Sequence, residues 1–322
     1  MRIGIAGCGR ITERGYVPAA LATEGIEIAG LADPDESRRQ QCHALCEQKP
    51  GNEVPTFASA GELLHSEPID LLVIAAPSGH HVALAEEAAS AGVRSLVEKP
   101  PAPDLEGARR LAALDPQPLL AFNRRFLQGQ ELRPAIPTEG WIELDLELRF
   151  RRDGWSAHEA RDEALLDAGI HLIDLACFLT GSSPIAVRRA QIEHERASLE
   201  LELSRGRARI GCATDRRHRE TIVVRDRSGA SLARSTWGGI RSRISGLLSR
   251  PDPLIVSLRR QLEAVGVFLM EPPHLLLQQG LPNRLLATAS DGIAAIAVVE
   301  AAHRSAQLDG AEVTVDPVGT RA

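Results

Sequence analysis

Up to residue 123 the chain alternates short apolar runs with helix-like stretches. Strands are expected at 3–6, 26–32, 71–75, 95–98 and 119–123, and helices at 10–22, 35–47, 81–91 and 105–113. That order predicts βαβ units and a parallel sheet. Each strand run ends in polar or turn residues, the edge where an α/β sheet gathers its ligands, so a nucleotide site is expected there. Past Arg124 the pattern changes. Ile142, Leu144, Leu146, Leu148 and Phe150 alternate with Glu143, Asp145, Glu147, Arg149 and Arg151, a period of two that makes one face apolar and the other charged. Alternation recurs at 198–204 and 207–212, with strand-like runs at 185–192 and 221–224, so a largely antiparallel sheet with one wet face is predicted. Residues 238–253 read as a long loop, and 254–268 and 289–306 as helices.

Composition narrows the class. A chain of 322 residues, 43% hydrophobic and 25% charged, holds two ordinary globular domains. A formal net charge of -6 supplies no attraction to a nucleic acid or an anionic membrane. The longest apolar stretches, 71–76 and 293–302, fall well short of the ~20 residues that span a bilayer. The amino terminus runs straight into a strand, so no secretory leader is expected. Five scattered cysteines suit reduced thiols and a cytoplasmic location. Cys42 and Cys46 are four apart on a helix but lack a second ligand pair, so no metal is expected.

Three motifs carry chemistry. Gly7-Cys8-Gly9-Arg10-Ile11-Thr12 follows the first strand and opens the first helix. Gly7 would make the tight turn and Gly9 would let the backbone approach a pyrophosphate on the helix amino terminus. Asp33 ends the second strand, where a carboxylate accepts hydrogen bonds from the adenosine ribose and repels a 2′-phosphate. NAD is therefore preferred over NADP, with Arg38 and Arg39 as the opposing signal. These features make the first domain a Rossmann, doubly wound α/β domain over residues 1–122. It is followed by an α+β domain over 123–322 with an open, mostly antiparallel sheet, whose last segment is free to pack back on the first domain.

The second motif is Val97-Glu98-Lys99-Pro100. Of 37 basic residues only Lys49 and Lys99 are lysine, and an ammonium, unlike a guanidinium, exchanges its proton readily. Pro100 favours an extended Lys99, whose side chain would project into the cleft and stabilise a developing alkoxide. The competing role is a surface lysine paired with Glu98. In the third motif, Asp167, His171 and Asp174 share one face of an apolar helical run. An imidazole beside a carboxylate suits a general base, and a hydrogen-bonded core histidine is the alternative.

The Gly7-Cys8-Gly9 turn, Ala32-Asp33-Pro34, Ala76-Pro77-Ser78-Gly79-His80-His81, Glu98-Lys99-Pro100, Asn123-Arg124-Arg125-Phe126, Asp167 to Asp174, and Val299-Glu300-Ala301-Ala302-His303 near the end all occur in order. Together they resemble the glucose-fructose oxidoreductase, inositol dehydrogenase and rhizopine-catabolism (Gfo/Idh/MocA) family over essentially the whole chain. The resemblance implies Lys99, Asp167 and His171 as catalytic residues. It also implies Pro77, Ser78, His81, Glu98 and Asn123 along the cofactor cleft, beside Gly7, Gly9, Arg10, Ile11 and Asp33 of the NAD turn, and Arg124 and Trp155 are expected beside the substrate. It implies a sugar, cyclitol or nucleotide-sugar substrate and a homodimer or homotetramer built through the open sheet. Arg161-Asp162-Glu163-Ala164 stands where the family often has a glycine pair, which bears on substrate class. Tyr16, the single tyrosine, excludes a tyrosine-lysine relay and is expected to pack. Trp155 either stacks on a sugar or fills a gap. Two other readings stay open: a glycosidase working through transient oxidation, and a dinucleotide sensor without catalysis.

Overall fold

A computed structural model describes residues 1–48, 53–152, 162–238, 252–270 and 285–316. It divides into two compact units, Met1–Leu127 with Pro251–Gly292, and Gln128–Arg250 with Ile293–Ala322.

The first unit is an α/β domain. Strands β1 (Arg2–Ala6), β2 (Glu27–Ala32), β3 (Thr56–Phe57), β4 (Leu71–Ile74), β5 (Arg94–Val97) and β6 (Leu119–Leu120) form its sheet. Between them run helices α1 (Val17–Leu21), α2 (Glu36–Cys46), α3 (Ala60–Ser66), α4 (His81–Ser90) and α5 (Leu105–Ala112). The strand order is β6-β5-β4-β1-β2-β3 with every one of these pairings parallel, and the later strand Ala287–Thr288 adds antiparallel to β6. The order reverses beside β1, which is the topological switch point of a doubly wound sheet. Ile3, Ile5, Leu31, Leu71, Leu72, Ile74 and Leu96 fill the centre without exposure, as runs buried on both faces must.

Local chemistry sets the helix starts. Asp35 caps α2 by accepting from the Ser37 and Arg38 amides, and Asp104 caps α5 from Gly107. The α3 helix was not among the expected elements. Its signal is nevertheless present: Ser59 accepts from the Glu62 amide at 3.2 Å while the Glu62 carboxylate takes the Ala58 amide at 3.0 Å. The expected helix at 10–22 forms over residues 10–21, with a π turn, Thr12–Tyr16, within it before α1.

The second unit carries α6 (Gln128–Leu132), α7 (Ile170–Thr180) and the second sheet. Its strands are β7 (Ile142–Arg151), β8 (Pro184–Glu193), β9 (Arg196–Leu203), β10 (Gly206–Ala213), β11 (Asp215–Asp226) and β12 (Ser231–Gly238). The order is β12-β11-β7-β10-β9-β8, antiparallel except for β7 beside β10, and the later strand Val313–Thr314 adds antiparallel to β8. β12 was not expected from the sequence. Ile142, Leu144, Leu146 and Leu148 are buried, as the alternation in β7 requires. On the other face Glu143 pairs with Arg207 at 2.9 Å, and Asp145 with Arg209 at 2.6 Å and with Arg225. α7 is buried and, apart from His171, Asp174 and Thr180, apolar, and it ends at Gly181 with φ 62°.

The helix α8 (Pro253–Met270) belongs to the first unit and lays Leu258, Gln261, Leu262 and Val265 inward. A Cβ on Gly15 would come within 2.6 Å of Leu258 Cδ1, so the π turn and α8 touch closely. The helix α9 (Ala289–Gln307) follows. Residues 239–251 of the expected loop lie outside the described residues. Among the described residues no helix is long and apolar enough to cross a membrane.

Candidate active site

In the first unit the glycine turn is built as the motif requires. Gly7 has φ +101°, and a Cβ there would stand 2.6 Å from the Ala75 carbonyl carbon and oxygen, so only glycine fits. Its amide donates to the Ala32 carbonyl at 2.8 Å. At Gly9 nothing lies within 4 Å of the Cβ position, which leaves the open space that a phosphate needs against the backbone. Thr12 replaces the third small residue of the motif and is buried. Its hydroxyl donates to the Gly7 carbonyl at 2.5 Å, so the substitution closes the turn from within. Arg10 and Ile11 are half-buried at the head of the helix.

Asp33 is buried at the end of β2. Its two carboxylate oxygens accept the amides of Cys8 at 2.8 Å and Asp35 at 2.9 Å. Each oxygen retains a lone pair for a ribose hydroxyl. Arg38 and Arg39, the opposing signal for a 2′-phosphate, are engaged locally: Arg38 pairs with Asp35 at 3.5 Å and Arg39 donates to the Asp33 carbonyl. The residues present therefore fit NAD. Cys42, packed under the turn, donates its thiol to the Cys8 carbonyl at 3.7 Å, and Cys46 is buried beside it.

The loops after β4 and β5 are tied together by His81. Its ring nitrogens lie 2.8 Å from the Pro100 carbonyl oxygen and 2.7 Å from that of Ala76. Pro77 is exposed and Ser78 half-buried at this edge. Glu98 is buried, and its carboxylate accepts the Tyr16 hydroxyl at 2.8 Å and the Lys99 amide at 3.1 Å. Tyr16 thus does more than the packing expected of it: it anchors the corner on which half-buried Lys99 sits. Burial first, then the charge and hydrogen bond of Glu98, raise the Tyr16 pKa well above its usual value. Asn123 is buried and Arg124 half-buried after β6. Arg125, which the motif reading left without a role, is buried and ties this segment to Asp291 at 3.1 Å.

In the second unit Asp167 lies in a π turn, Leu165–Gly169, that runs into α7 with His171 in its first turn. The sequence suggested a regular α-helical face. The wider turn still carries both residues inward, Asp167 8% and His171 6% exposed, and Asp174 is buried after them. Arg152, just past β7, is equally buried, and its Nη2 lies 2.8 Å from Asp167 Oδ2. Nothing in the local sequence marks this arginine, because its partner is remote along the chain. Glu163 bonds His303 of α9 at 2.6 Å, beside an open cavity of about 420 Å3 that His194 also lines. Trp155 lies outside the described residues. Among the described residues no cluster of three or more histidine, cysteine, aspartate or glutamate side chains stands ready for a metal.

Residues 1–117 match the model of the GFO_IDH_MocA oxidoreductase family, NAD-binding Rossmann fold. The chain is 31% identical over 186 residues to the putative oxidoreductase YceM of Salmonella typhimurium, covering 56% of this chain and 57% of that protein. It is 30% identical over 198 residues to the rhizopine catabolism protein MocA of Rhizobium meliloti, covering 59% and 60%. The alignments thus span less than two thirds of either relative. The fold is also that of the myo-inositol dehydrogenase of Lactobacillus casei in complex with NAD(H) and myo-inositol, with a TM-score of 0.74, 19% identity, and coverage of 100% of this chain and 98% of that one.

Proposed function

We propose that this chain, whose residues 1–117 match the model of the NAD-binding Rossmann-fold oxidoreductases of the GFO_IDH_MocA family, moves a hydride between nicotinamide and a secondary alcohol carbon of a sugar-like or cyclitol-like substrate. NAD, when bound, supplies the hydride acceptor. The observation that carries the reading is the Glu98-Lys99 corner: an ammonium stands at the carboxyl end of β5, the edge where a doubly wound sheet holds its ligands, on a backbone pinned through Glu98 to Tyr16.

The chain's own groups divide the work. Gly7, Gly9, Arg10 and Ile11 receive the pyrophosphate and Asp33 the ribose, with Pro77, Ser78, His81, Glu98 and Asn123 along the cleft. His171 takes the hydroxyl proton as hydride leaves, Asp167 orients the imidazole, and the Lys99 ammonium stabilises negative charge growing on the oxygen. Arg124 and Trp155 serve the substrate. The chain works in the cytoplasm as a homodimer or homotetramer assembled through the charged face of its second sheet. Such an interface would be polar, given the Arg207–Glu143 and Arg209–Asp145 pairs on that face.

Replacing Lys99 with methionine tests the reading. Affinity for NAD measured by calorimetry should hold, while NADH formation over a panel of polyols and sugars should fall by ~10²-fold or more. Turnover equal to that of the unmodified chain would remove Lys99 from the mechanism.

A further inference from the structure

We infer that Arg152 and Thr214 bind a carboxylate, so that the sugar-like or polyol substrate is an acid of the uronate or aldonate type; the inference rests on the reading that Asp167 and His171 face the substrate. The Arg152 amide donates to the Thr214 carbonyl at 3.2 Å. Asp215 pairs with Arg151 in antiparallel register, which places Thr214 opposite Arg152. Residues directly opposed in this way project from the same face. Two residues before Thr214, Cys212 Sγ lies 3.4 Å from the Ala164 carbonyl oxygen and 3.2 Å from the Cβ position of Gly169. That face therefore underlies the turn Leu165–Gly169, from which Asp167 meets Arg152.

The donors gathered there are not used up. Nε of Arg152 and Oγ1 of Thr214 are both buried without a hydrogen-bond partner among the described residues, and the Arg152 side chain is only 6% exposed. Asp167 Oδ2 engages Nη2 at 2.8 Å, which leaves Nε and the second N–H of Nη2 for another acceptor. Buried polar groups in folded proteins are nearly always satisfied, so adjacent donors without a partner in the chain call for an acceptor from outside it. Nε and Nη2 share one edge of the guanidinium plane, the edge that takes both oxygens of a carboxylate side-on. A carboxylate accepts only, and with several lone pairs it can satisfy both N–H groups and the threonine hydroxyl together. A neutral hydroxyl accepts fewer of them and leaves the guanidinium dependent on Asp167. That aspartate is also the partner of His171 once the imidazole has taken a proton.

The full chain saturated with NADH is titrated by calorimetry with D-glucuronate against D-glucose and with D-gluconate against D-glucitol, at matched ionic strength. At least one acid should bind ~10-fold or more tightly than its neutral counterpart. Arg152→Gln and Thr214→Val should each erase that difference while leaving affinity for the neutral compound within ~3-fold, and Arg152→Lys, which keeps charge but loses the fork, should fall between. NADH binding reports that the first unit of each variant is folded, and retained affinity for the neutral compound reports the same of the second. Acids binding no better than neutral compounds, or variants that leave the acid affinity unchanged, overturn the inference. A parallel assay of NAD reduction separates the two claims: acids that bind through Arg152 and Thr214 yet yield no NADH would leave the carboxylate site standing and remove the oxidoreductase reading.

Discussion

Tyr16 buries its ring under the first helix and donates to Glu98 Oε1 at 2.8 Å. Phenylalanine in its place would fill the same space but leave a buried carboxylate oxygen without its donor. Tyr16→Phe should therefore lower stability by ~1–3 kcal/mol in denaturant unfolding; an unchanged midpoint would mean that the bond contributes nothing. His303 is a titrating counterpart. Its hydrogen bond to Glu163, ahead of the opposing effect of burial, raises the imidazole pKa above its usual 6.5. A folded-state pKa above the unfolded one stabilises fully below the unfolded value and is lost as pH rises through the folded value. The gap in thermal midpoint between the unmodified chain and His303→Gln should thus be widest below pH ~6.5 and close as pH rises past it. A gap that grows with pH would refute the assignment. The residue-level chemistry was unevenly legible. Gly7, Gly9 and Asp33 announce themselves because backbone conformation and strand position fix their use. Tyr16, Arg125, Arg152 and Thr214 did not, since each acts through a residue far along the chain or on another strand.

Among the elements, β7 was the most readable, because a sheet buried on one face imposes a period of two and Ile142 to Leu148 follow it. Helix α8 was legible for the related reason that Leu258, Leu262 and Val265 recur on one inward side. α3 went unread although its Ser59 and Glu62 form a reciprocal cap, a signal carried by two residues and not by periodicity. The two-residue strands β3, Thr56–Phe57, and β6, Leu119–Leu120, are defined by pairing, so no local pattern specifies their bounds. The π turns at Thr12–Tyr16 and Leu165–Gly169 are of the same kind. A hydrogen bond displaced by one residue leaves hydrophobic spacing almost intact, and both turns lie at the expected ligand positions, where such bulges are common.

At the scale of the whole molecule the first unit is discontinuous, Met1–Leu127 joined by Pro251–Gly292. α8 covers the π turn and α1, and burying each of its larger apolar side chains is worth about 1.5–3 kcal/mol. A fragment of residues 1–127 alone should consequently lack a cooperative thermal transition by circular dichroism, whereas 1–127 linked to 251–292 should regain one. A sharp transition in the shorter fragment would show that α8 is dispensable. By itself the sequence determined the βαβ order, the alternating strands of the second sheet, the glycine turn and the carboxylate that follows it. Each of these is written in spacing or backbone freedom over a few neighbouring residues. Tertiary structure alone decided that Tyr16 holds Glu98 and that Arg152 and Thr214 stand opposite one another beside Asp167. Such contacts depend on which strands become neighbours, and strand pairing is chosen by the burial of the whole sheet, not by any one segment.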